Sequence, residues 1–413
     1  MKFVVCEDVV LSRPLEGPVS THIHDFAKWA HDEGYALYSR RRQVLLAACF
    51  SRWLGQRRVS CQRVNSAHVS EYLRYRAKHV KICSGDAGAL RHFIDFLRGR
   101  GVIPAEKIPV PEFSHVEHVV KKFERYLLNE RALAATTTLH YAAFVRGFLA
   151  NRFGRGPVKL SQLCAGDVIR FVQRQARRLH LKRAKLLTSA LRSFLHYLFY
   201  RGEILHDLAE AVPTVPNWSM TSIPRAISPD FVRKLLASIN QRTAVGRRDY
   251  AILLLLARLG LRAGEVARIE LEDIDWKAGT LTVRRKGGQH SILPLPAEVG
   301  SAIAAYLRHS RPQNNNSRNV FLRSRAPIKG FVGPVAITSI VKNNLARAGI
   351  KAPTKGAHQF RHGLATDMLR HGASLMEIGE ILGHRSPQTT QIYTKVDLNA
   401  LRPLALPWPG GVR

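Results

Sequence analysis

The sequence predicts a mainly α-helical protein with one small β-sheet, built as helical N-terminal units followed by an α+β domain. Three observations predict it. Apolar residues recur at helical spacing through most of residues 20–202 and again after residue 228. Two short alternating runs flank Lys286-Gly287-Gly288-Gln289, the pattern of a β-hairpin. A chain of 413 residues, 46% hydrophobic and 23% charged, is ordinary globular material but too long for one core, so two or three domains are expected.

In the first unit, residues 1–110, the segments VLLAACFSRWL (44–54) and ALRHFIDFLRGRG (89–101) carry helical apolar stripes. The pattern returns in a second unit, residues 115–210. There ALRSFLHYLFYRG (190–202) repeats the later of those segments at an offset of 101, and VIRFV (168–172) answers VSEYL (69–73) at an offset of 99. We read these as tandem copies of a four- or five-helix unit. The competing reading is two unrelated helices with similar faces. Trp53, Tyr72, Tyr75, Phe148 and Tyr197 lie on the apolar faces and are expected in the cores.

Pro213, Pro216 and Pro224, with Ser219, Thr221 and Ser222 among them, break the periodicity and mark residues 211–226 as a linker. The last domain, residues 227–395, opens at Ser228-Pro229, an N-cap followed by proline at the first helical position. An apolar helix over Asp249–Leu259 follows as its central core element. Gly260 then permits a turn, Arg262 comes next, and Glu265 lies one helical turn on. An arginine there is either a structural partner of Glu265 or an anion ligand held by it. Lys286 sits at the hairpin tip, helices are expected over 297–309 and 335–348, and residues 311–329 form a polar loop.

His358, Arg361 and His362 are spaced i, i+3 and i+4, so a helix brings them together over about one turn. Ser374 and Glu377 form a capping box, Gly383 suits a left-handed helix end, and Ser386-Pro387 begins a further short helix near Tyr393.

The charge narrows the partner. Sixty-four Lys and Arg against thirty Asp and Glu leave +34, distributed along the chain, which points to nucleic acid over the alternative of an anionic membrane surface. The five cysteines have no metal-ligand or disulfide spacing and are expected to be buried free thiols in a reducing compartment. No leader or membrane span is expected, placing the protein in the cytoplasm with no membrane partner.

Arg262, Lys286, His358, Arg361, His384 and Tyr393 together suit the breaking of a phosphodiester with retention of its energy. Guanidiniums present paired donors to a phosphate and to its pentacoordinate transition state. A tyrosine hydroxyl is a competent nucleophile once a base takes its proton, a lysine can protonate a leaving oxygen, and histidines serve as base or phosphate donor.

The order of these residues resembles the tyrosine recombinases, the phage-integrase family of site-specific DNA recombinases. The resemblance rests on LGLRAGE (259–265), Lys286 in RKGG, HQFRHGLAT (358–366), LGH (382–384) and YT (393–394), with Leu259 and Phe360 departing from the usual Thr and Leu. It implies that Arg262 and Arg361 bind the scissile phosphate and that Tyr393 attacks it to give a 3′-phosphotyrosine. It further implies Lys286 as general acid, His358 as assisting base, His384 as phosphate donor, Glu265 as support for the arginines, and His362 as a structural residue. A helical core-binding domain would close with the catalytic domain as a C-shaped DNA clamp. A homotetramer would act on two DNA sites, with accessory or companion recombinases possible partners, no metal and no cofactor, in association with the nucleoid. The expected activity is integration, excision or transposition of a mobile element. The alternatives are a type IB topoisomerase-like nicking-closing enzyme and a silent DNA-binding accessory protein. The tail, residues 396–413, would dock on its own domain or on a neighbouring protomer.

Overall fold

The computed structural model describes residues 3–6, 9–105, 114–154, 156–215, 223–285, 288–313, 317–384 and 386–396. Lys286, linker residues 216–222 and the tail beyond Val396 lie outside them. The chain divides into two compact units, Met1–Glu106 with Ser222–Arg413, and Lys107–Thr221.

The first unit opens with an antiparallel pair, β1 (Phe3–Cys6) and β2 (Val9–Leu11), whose register shifts between Val4 and Cys6. Strands of four and three residues are too short to show a period-2 pattern, so sequence reading passed them over. Helices α1 (Ile23–Asp32), α2 (Leu37–Gln56), α3 (Ser66–Ala77) and α4 (Asp86–Gly99) enclose Phe26, Phe50, Leu90 and Phe93. The Asn65 side chain starts α3 by accepting from the Ala67 and His68 amides, at 3.0 and 3.2 Å. Ile328 N donates to Glu33 O at 3.1 Å, which ties these helices to the α+β part of the same unit.

The second unit contains α5 (His115–Arg125), extended by a π turn over Tyr126–Glu130, then α6 (Ala135–Phe153), α7 (Ala165–Ala176) and α8 (Leu181–Tyr200). Phe123, Phe148, Leu191 and Phe194 fill its core. Trp53, Tyr72, Phe148 and Tyr197 are buried as expected, but Tyr75 is 42% exposed because it lies on the outer side of α3. The cysteines also depart from expectation. Cys83 and Cys164 are exposed and Cys49 and Cys61 only half-buried, since each falls at or near a helix end or on a flank and not on a central stripe.

In the α+β part, α9 (Pro229–Ala237) begins with the Ser228 side chain accepting from Phe231 N. Helix α10 (Ala244–Arg258) is buried continuously from Ala251 to Leu256 and forms the centre of the core. After the short α11 (Ala263–Val266), strands β3 (Ile274–Asp275), β4 (Thr280–Arg284) and β5 (His290–Pro294) make an antiparallel sheet in that order, with Leu281 opposite Leu293. Helices α12 (Ala297–His309) and α13 (Pro334–Arg347) pack on α10 and α11. Helices α14 (His358–Arg370), α15 (Leu375–Leu382) and α16 (Pro387–Thr390), with a 3-10 turn over Gln391–Val396, share a small core of Ala365, Ile378, Leu382 and Tyr393. The Ser374–Glu377 capping box forms, and Gly383 takes the left-handed conformation at φ 62°. Among the described residues no helix is long and apolar enough to cross a membrane.

Candidate active site

The site is assembled where α10 ends. Gly260 turns the chain at φ 58°, and a Cβ there would stand 2.8 Å from Leu382 Cδ2 and 2.9 Å from Leu364 Cδ2, so only glycine lets α10 meet α14 and α15 this closely. Arg262 is then the N-cap of α11. Glu265 reaches back, its Oε2 accepting from Arg262 N and its Oε1 from Arg262 Nη1, both at 2.8 Å. Glu265 is buried, whereas the Arg262 side chain is 32% exposed. Its guanidinium is thus held by Glu265 on one edge and open on the other.

Arg361, on the first turn of α14, is buried. Its Nη1 donates to Gly260 O at 2.9 Å, and its Nη2 donates to Leu382 O. Burial, followed by the nearby Arg262 charge, pushes the guanidinium down to about 10.

A third arginine, which motif reading missed, completes the cluster. Arg285 donates from Nη1 to Leu382 O and from Nη2 to Ile381 O, each at 3.1 Å, and lies 3.4 Å from Glu265 Oε2. Burial lowers its pKa. The signal was available: strand alternation places Leu281 and Val283 inward, and Arg285 continues that row. With Arg262 Nη2 3.5 Å from Gly383 O, three arginines from separate segments meet the carbonyls of residues 381–383. These are the unsatisfied acceptors at the C-terminus of α15, where the helix dipole is negative, so helix end and Glu265 together offset part of the charge of the packed guanidiniums.

Tyr393 is 1% exposed, and its hydroxyl lies 3.0 Å from His362 Nδ1. Burial raises the phenol pKa, while the Arg361 and Arg262 charges oppose the rise. His384 lies parallel to the Tyr393 ring, with centroids 6.4 Å apart, and its Nδ1 is 2.8 Å from Thr390 Oγ1, a second partner not foreseen. Burial, then Arg361 and Arg262, push His384 down to about 4. His362 is also lowered, by burial, then by His358 and Arg361. His358 keeps its ring at the solvent-facing mouth, 6.3 Å from the His362 ring, and is lowered by partial desolvation, then by Arg361 and Arg262. The structure therefore gathers Arg262, Glu265, His358, Arg361, His362, His384 and Tyr393. Of the two histidines on α14, His362 touches the tyrosine.

Residues 225–399 match the phage integrase family, and residues 120–202 match the phage integrase N-terminal SAM-like domain. A protein of Sinorhizobium fredii (strain NGR234) named as an integrase/recombinase, y4rA, is 56% identical over 99% of both chains. The chain belongs to the phage integrase family of tyrosine recombinases. Tyrosine recombinase XerA of Pyrococcus furiosus, another member, is 32% identical and aligns with 69% of this chain and 91% of its own. In fold, the chain is similar to the XerH recombinase solved with palindromic difH substrate, at a TM-score of 0.58 and 19% identity, over 73% of this chain and 98% of that one. It is likewise similar in fold to the Tn1549 transposon integrase, at a TM-score of 0.52 and 16% identity, over 70% and 99%. Family membership carries the reaction class, site-specific DNA recombination.

Proposed function

We propose that this site cleaves and rejoins duplex DNA through Tyr393, as the integrase or transposase of a mobile element. The observation that carries the reading is the Tyr393 hydroxyl held 3.0 Å from His362 Nδ1 beside the buried Arg361. A scissile phosphate is received between the open edge of Arg262 and Arg361, whose paired donors match the non-bridging oxygens. Tyr393 Oη attacks phosphorus, its proton passing to the neutral His362, and the 5′ oxygen leaves with a proton from Lys286. The products are a 3′-phosphotyrosine and a 5′ hydroxyl. Attack of a 5′ hydroxyl from a second duplex reverses the step and releases the tyrosine, so the bond energy is conserved without a nucleotide cofactor.

His384 donates to the phosphate, and Glu265 keeps Arg262 aimed. His358, at the mouth, assists proton movement. Tyr393 is deeply buried, so residues 387–396 shift to bring its hydroxyl to the phosphate while it stays within reach of His362. Exchange between two duplexes requires four such tyrosines, hence a homotetramer on two sites, in the cytoplasm where the element's DNA resides.

The test is a duplex nicked near the cleavage position, so that the short 5′ fragment is lost and the covalent intermediate accumulates. The wild-type chain should give a protein–DNA adduct and Tyr393→Phe none. An adduct with Tyr393→Phe would remove Tyr393 from the role, and no adduct from wild type on any bound site would end the catalytic reading.

A further inference from the structure

The two helical units correspond beyond their outlines. The 3-10 turn over Cys61–Arg63 has its counterpart in Leu160–Gln162, and α3 and α7 both run twelve residues at an offset of 99. The aromatic pair Phe26–Phe93, with centroids 4.9 Å apart, answers Phe123–Phe194 at 5.1 Å. Phe50–Tyr72 answers Phe148–Phe171, both at 5.3 Å. Arg100 lies over the Phe96 ring at 5.6 Å, and Arg201 lies over Tyr197 at 5.7 Å. Gly101 and Gly202 close the fourth helix with the same φ of 69°. Three independent side-chain contacts and one backbone conformation at matching positions are not a product of shared amphipathicity, which fixes faces but not partners.

The repeat extends to charge at one corner. Between α7 and α8, Arg174, Arg177, Arg178 and Lys182 are exposed, and no acidic residue occurs from Val172 to Gly202. At the equivalent place between α3 and α4, Arg74, Lys78 and Lys81 are exposed, and no acidic residue occurs from Tyr72 to Gly85. Among the described residues Arg74, Lys78 and Lys81 form no ion pair. The nearest buried acid, Asp86, is taken by Arg42 at 2.5 Å and Arg76 at 3.9 Å, so it does not neutralise them.

We propose that residues 20–103 are a second copy of the 115–204 unit, and that the corner carrying Arg74, Lys78 and Lys81 binds the phosphate backbone of duplex DNA outside the cleavage site. Three exposed cations at the end of α3 and in the turn after it, with no acidic residue from Tyr72 to Gly85, suit sequence-independent phosphate contact. The chain would then hold DNA through two helical modules, each with its own basic corner.

The experiment uses the full chain carrying Tyr393→Phe, which leaves DNA binding measurable whatever the outcome for catalysis. Affinity for a mixed-sequence duplex is followed against salt, with and without Arg74→Ala, Lys78→Ala and Lys81→Ala together, and the melting curve of each chain checks folding. Loss of three phosphate contacts should lower the slope of log affinity against log salt by about three. A photocrosslinker on the exposed Cys83, with Cys83→Ser protein as blank, should label DNA. An unchanged slope in a folded triple variant overturns the proposal, as does crosslinking to a second copy of the chain in place of DNA.

Discussion

His362 Nδ1 lies 3.0 Å from Tyr393 Oη, and the two rings meet nearly edge to face at a 61° interplanar angle. His362 is held below the ordinary imidazole range by burial, His358 and Arg361, so at neutral pH it is uncharged and able to accept the phenol proton. His362→Ala should slow single-turnover cleavage of the nicked duplex by roughly 10²-fold or more while leaving DNA affinity near wild type. Equal loss of binding and cleavage would assign His362 to packing alone.

Glu265 supports two arginines at once, with Arg262 Nη1 at 2.8 Å and Arg285 Nη1 at 3.4 Å. Glu265→Ala leaves the buried Arg285 short of its only carboxylate contact among the described residues and should cost about 3–5 kcal/mol, read by denaturant unfolding. The same change should depress adduct formation through misaimed Arg262, even at a temperature where the variant remains folded.

Gly260 combines a positive φ with close approach to Leu382 and Leu364. Gly260→Ala should destabilise the protein by about 1–3 kcal/mol. Because Gly260 O also anchors Arg361 Nη1, cleavage should fall more than binding. An unchanged melting temperature would contradict the packing described.

The pH dependence of stability follows from His384. Its pKa in the folded chain is pushed down to about 4, so as pH falls below the ordinary imidazole value the unfolded state takes up the proton first. Stability should decline from about pH 6.5 and level off near pH 4. In His384→Gln the decline over this window should be shallower, as followed by thermal melts across the range.

Much of the site was legible in the sequence because its chemistry is carried by residue types at helical spacing. His358, Arg361 and His362 had to share one turn of α14, and Ser374, Glu377 and Gly383 marked both ends of α15. Local backbone rules decide such features, and these hold regardless of what the chain packs against. The helical units and the β4–β5 hairpin were readable for the same reason. Tertiary structure alone decided which histidine reaches Tyr393, that the tyrosine is buried, and that Arg285 joins Arg262 and Arg361 around the carbonyls of residues 381–383. Those relationships join groups distant in the chain, 31 residues for His362 and Tyr393 and 97 for Arg285 and Leu382. They depend on where α10, β4, α14 and α15 meet, and close packing around Gly260 settles that position.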